Sequence, residues 1–82
     1  RIFEVQPGYA SPLHSHDWEH EIFVLAGSGV ANNGEEEIPI AVGSTIFVPP
    51  NARHQFRNTG ASVLRFLCMI PTVPEALPPS HR

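Results

Sequence analysis

Three histidines, His14, His16 and His20, fall within seven residues of one another, and a fourth, His54, follows two strand pairs later. Residues i and i+2 of a strand point to the same face, so an extended Leu13–His16 segment projects His14 and His16 side by side. His20 has the same parity at the start of the next apolar run, with Ile22 and Val24 behind it. A helix would pair His16 with His20 but throw His14 off that face, and Pro12 and the Ile-Phe-Val-Leu continuation favour strands. His54 shares its face with Phe56. Several neutral imidazoles turned into one apolar cavity would be a costly set of half-satisfied polar groups. A divalent transition ion removes that cost and ties together segments distant in sequence. The cluster therefore reads as a metal site, whereas His81, alone near the end of the chain, reads as an ordinary histidine.

The elements that must carry these residues are short. Nine prolines and six glycines interrupt the 82 residues, and the longest stretch free of both is Leu13–Ala26. Long helices have no room. Between the breakers the chain is rich in Val, Ile, Phe and Thr, which predicts strands near Ile2–Gln6, Leu13–His16, His20–Ala26, Gly29–Asn32, Glu36–Ile40, Thr45–Val48, His54–Arg57 and Val63–Ile70. Asn32-Asn33-Gly34 is a hairpin signal, and Ala26–Gly29, Ala41–Ser44 and Pro49–Asn51 mark further turns. Many short strands joined by turns imply an all-β sandwich or barrel. Residues 1–70 form that domain, and Pro71–Arg82, with four prolines, is expected to be an arm or tail.

Size and charge narrow the function classes. A chain of 82 residues makes one domain and buries only about 60% of its unfolded surface, so a metal, a disulfide or self-association usually supports it. The single cysteine, Cys68, excludes an internal disulfide. A net charge of −3 argues against nucleic acid as a partner, and no apolar run approaches the ~20 residues of a membrane span. A lone thiol fits a reducing, cytoplasmic setting. The opening residue, Arg1, leads us to expect a trimmed N-terminus.

The motifs resemble those of the cupins. In that family the first motif opens with a glycine, five residues and His-x-His, followed by a glutamate after three or four residues and a later glycine. Gly8, His14 and His16 match the opening. The second motif is matched in every spacing by Gly43, Pro49, Asn51, His54 and Asn58, with Asn51 replacing an inner glycine. Asparagine tolerates the left-handed region that such a glycine occupies. At the glutamate position both His20 and Glu21 stand at permitted spacings, and the pattern through Gly27 leaves the choice open. The stretch His14–Leu25 (HSHDWEHEIFVL) and the run Phe66–Pro71 are similar to small four-histidine manganese cupins. That resemblance implies a cupin β-barrel (a double-stranded β-helix, or jelly roll) and a metal held by His14, His16, His20 and His54, with Glu21 as the alternative ligand. It favours manganese, with iron next; imidazole also suits copper, nickel and zinc. It further implies oxidoreductase or dioxygenase-like chemistry with O2 or peroxide on a small-molecule substrate. The alternatives are a ligand-sensing domain and a purely structural metal site.

Around the metal, Ile22, Val24, Phe56, Phe66 and Cys68 are expected to line the pocket, with Phe23 and Ile46 helping to fill the barrel. Cys68 is read first as a small buried hydrophobe. Phe23 and Leu25 alternate against Ile22 and Val24, and Leu67 and Met69 against Phe66 and Cys68, so these strands are apolar on both sides. The outer side then needs a cover, and a two-fold homodimer supplies one. Trp18 is expected to shield the site or anchor its loop. Arg53 and Arg57 are expected to face outward and to pair with acids across an interface, and Glu35–Glu37 to form a solvated hairpin tip. Glu19 and Glu21 are rim carboxylates in this reading.

Overall fold

The computed structural model describes residues 1–13 and 15–71. Among the described residues seven strands follow one another: β1 (Ile2–Val5), β2 (His20–Ala26), β3 (Ser28–Asn32), β4 (Glu37–Ala41), β5 (Thr45–Val48), β6 (Gln55–Arg57) and β7 (Leu64–Met69). They form two antiparallel sheets, one in the order β1-β7-β2-β5 and the other β4-β3-β6. Among the described residues no helix is long and apolar enough to cross a membrane. His14 and the Pro-rich stretch 72–82 lie outside the described residues, so the expected arm there carries no structural account.

The core lies between the sheets. Val5, Ile22, Val24, Val48, Leu64 and Phe66 come from the larger sheet, and Ile40 and Phe56 from the smaller. Period-two alternation sets this division: in β2, His20, Ile22 and Val24 turn inward while Glu21, Phe23 and Leu25 turn outward. Leu64 and Phe66 are buried in the same way along β7.

Two backbone positions allow the chain to change sheets and to close its loops. Gly27, between β2 and β3, has φ of +84°, and a Cβ there would stand 2.3 Å from the carbonyl oxygen of Val63. Only glycine combines that conformation with so close a neighbour. Asn51 adopts φ of 66° and is the single non-glycine residue with positive φ among those described. It does the work expected of a residue standing in for the motif glycine.

The predicted strand at Leu13–His16 is not formed by its described residues. The pairing occurs earlier, where Ala10 bridges Arg57 and the backbone N–H of Ser11 donates to Phe56 at 2.9 Å. Pro12 has no N–H to extend that ladder. The carbonyl of His16 instead accepts the N–H of Asn51, fastening the first histidine segment to the turn before His54. Asn58 is a clamp: it is buried, its side-chain amide donates to the carbonyls of Val5 and Ser62 at 2.8 Å each, and its oxygen accepts the Gly60 N–H at 2.8 Å.

Candidate metal centre

Three segments deliver three imidazoles to one place. His20 opens β2, opposite Val48 of β5, and its inward parity leaves it 8% exposed. His54 stands just before β6 and is equally buried. His16 arrives on the loop tied to Asn51. The ring centroids of His16 and His20 are 5.0 Å apart, those of His20 and His54 5.0 Å, and those of His16 and His54 5.6 Å. One nitrogen from each ring lies within 4.8 Å of the other two.

These donors fit a metal ion. Imidazole nitrogens bind transition ions at about 2.0–2.1 Å, so opposed ligands lie about 4.2 Å apart and adjacent ones closer. The three nitrogens, within 4.8 Å of one another, would have to draw inward to share one ion. The nitrogen not facing an ion usually donates to a carbonyl or similar acceptor, which fixes the ring. His54 has that arrangement, with Nδ1 3.1 Å from the carbonyl oxygen of Ala52. A carbonyl oxygen can only accept, so Nδ1 carries the proton and Nε2 keeps its lone pair for a metal. His20 Nδ1 lies 3.3 Å from Cys68 Sγ. Trp18 stacks on His16 at 4.7 Å between centroids and 8° between planes, limiting the ring's rotation. All three donors are neutral nitrogens, so a bound dication would keep its full charge.

The cluster opens on a cavity of about 510 Å³, walled by Trp18, Ile22, Phe56, Phe66 and Cys68. That size and apolar lining suit a small organic ligand. Burial pushes the Cys68 thiol up from its ordinary pKa, against the smaller downward pull of the N-terminal ammonium and the Arg1 guanidinium.

The other sequence expectations sort as follows. Glu21 is exposed on the outer side of β2, away from the imidazoles. Six residues separate His20 from Gly27, the interval that the cupin motif places between its third ligand and its closing glycine, and that spacing favours His20 over Glu21. Val24 is fully buried in the core and does not border the cavity. Phe23 lies on the outer side, in a shallow groove with Phe47, Leu67 and Met69, and half-buried Ile46 reaches that groove as well as the core. Arg57 pairs with Glu37 of its own chain at 2.8 Å. Phe3 is a wall residue the sequence reading missed: it stacks on Phe66 with centroids 5.7 Å apart. Its shared parity with buried Val5 was the available signal. Ser11, also on the cavity, accepts the Phe56 N–H through its hydroxyl at 2.8 Å.

Comparison with known proteins agrees with this fold. Residues 1–70 match the model of the Cupin_2 family, described as a cupin domain. An "Oxalate-binding protein" of Thermotoga maritima is 35% identical over 68 residues, covering 82% of this chain and 56% of that protein. A "1-methylthio-D-xylulose 5-phosphate methylsulfurylase" of Rhodospirillum rubrum is 37% identical over 70 residues, covering 85% of this chain and 45% of the enzyme. The crystal structure of a predicted oxalate decarboxylase from Thermotoga maritima superposes with a TM-score of 0.79 at 33% identity, covering 88% of this chain and 64% of the other. The chain spans about half the length of these two curated relatives.

Proposed function

The chain belongs to the cupin family, and on that basis we propose that it is a metal-dependent oxidoreductase that uses dioxygen or peroxide on a small organic substrate. His16, His20 and His54 hold the ion, and His14, two residues before His16, completes a quartet. The observation that carries this reading is the convergence of three imidazoles from separate segments at an apolar cavity. A bound dication, with manganese favoured and iron, copper, nickel or zinc as alternatives, would supply Lewis acidity at the cavity. The chain's own residues do the rest. The Ala52 carbonyl fixes the His54 tautomer, Trp18 holds the plane of His16, and Ile22, Phe56 and Phe66 exclude water and receive the apolar body of the substrate.

We assign the outer groove bearing Phe23, Phe47, Leu67 and Met69 to the contact of a homodimer, because it is an apolar face on a small domain. A second functional reading, ligand binding without turnover, draws support from the relative named for binding oxalate. One experiment separates the two. Protein loaded with Mn(II) or Fe(II) is mixed anaerobically with a panel of phenols, alkenes and small carboxylates, and oxygen uptake is then followed. Substrate-dependent uptake, absent after chelation, supports the oxidoreductase. Saturable binding with no uptake of oxygen or peroxide across the panel leaves the binding protein.

A further inference from the structure

Cys68 has no part in the metal set, yet it touches one member of it. The β2–β7 register pairs Ile22 with Cys68, which places the cysteine one diagonal step from His20 on the inward side of the sheet. Its Sγ lies 3.3 Å from His20 Nδ1. It also borders the cavity, but it is outside the group of three whose ligand atoms converge within 4.8 Å. A neutral histidine offers an ion the nitrogen that does not carry its proton, and the group facing the other nitrogen decides which way round the ring sits.

Resting on the metal reading above, we propose that Cys68 is the positioning residue for His20: its sulfur accepts the Nδ1 proton and thereby commits Nε2 to the ion. The two buried histidines then use the same device with different acceptors, a backbone carbonyl at His54 and a side-chain sulfur at His20. The carbonyl is supplied by the main chain whatever the side chain, whereas the sulfur can be removed by mutation.

Cobalt(II) titration followed by its visible spectrum tests this in the wild-type, Cys68→Ala and Cys68→Ser proteins, with apo-protein melting measured alongside. Outer partners of metal-bound histidines are worth about 10–100-fold in affinity. Cys68→Ala is expected to weaken cobalt binding at least about tenfold. Cys68→Ser, whose hydroxyl oxygen also accepts the proton, is expected to recover most of that loss even if its apo form melts no higher than the alanine variant. Equal cobalt affinity in the wild-type and alanine proteins overturns the positioning role and leaves the metal reading intact. A wild-type protein that takes up no cobalt removes both. Should the variants fail to fold, nitrogen-15 NMR of the zinc-loaded wild-type protein decides: a proton on His20 Nδ1 supports the proposal, and a zinc-bound Nδ1 refutes it.

Discussion

Replacing His20 by alanine separates a metal ligand from an ordinary buried side chain, provided that the quantity read is the metal-induced change in melting temperature. An ion that binds only the folded chain stabilises it by RT ln(1 + [L]/Kd), about 2.7 kcal/mol when the free ion is at 100 times Kd. For a domain of this size each kcal/mol moves Tm by about 4–8 °C, so the wild-type protein should gain roughly 11–22 °C. His20 is 8% exposed and supplies one of the three converging nitrogens. If its loss weakens the site about 100-fold, the same ion concentration stands near Kd, and the gain falls to about 0.4 kcal/mol, or roughly 2–3 °C. Differential scanning fluorimetry with and without metal reads both numbers, and the difference cancels whatever the mutation costs the apo protein. Glu21→Gln is the control: Glu21 faces outward, so its variant should keep the wild-type shift. A full metal-induced shift in His20→Ala, or its loss in Glu21→Gln, would refute the placement of the site.

Three further outcomes follow from the packing. Asn51→Val should lower stability by about 1–2 kcal/mol in a denaturant melt, because a β-branched residue is strained at φ of 66°, while Asn51→Gly should be close to neutral. Phe47 is 58% exposed on the outer groove, so Phe47→Glu should convert a dimer into a monomer in sedimentation velocity without changing metal content; an unchanged sedimentation coefficient contradicts the assigned contact. The raised pKa of Cys68 keeps its thiol protonated at neutrality, and only the thiolate is nucleophilic. Iodoacetamide should therefore react with the folded protein more slowly than with the denatured chain near pH 7, and the rate should climb only as pH rises past the ordinary thiol range.

Much of this architecture can be read from local chemistry. Alternation alone places His20, Ile22 and Val24 on the inward side of β2, and the bounds His20–Ala26 and Thr45–Val48 coincide with the strands observed. Asn51 is legible because few residues other than glycine accept positive φ. What stays hidden depends on long-range partners. Parity gives the side of a strand but not the depth along it, so Val24 shares a face with His20 yet lies in the core, away from the cavity. The strand expected over Leu13–His16 is not formed by its described residues, because the His16 carbonyl is taken by Asn51, a partner 35 positions on. The contact of Cys68 with His20 likewise requires the β2–β7 register, which no local pattern encodes.

The most direct test is an anomalous difference map from crystals of the protein grown with manganese, with data collected on both sides of the manganese edge. One peak per chain is expected, at bonding distance from nitrogens of His16, His20 and His54, with His14 closing the set. A map with no peak among those rings, or with its strongest peak on the outward carboxylate of Glu21, would contradict it.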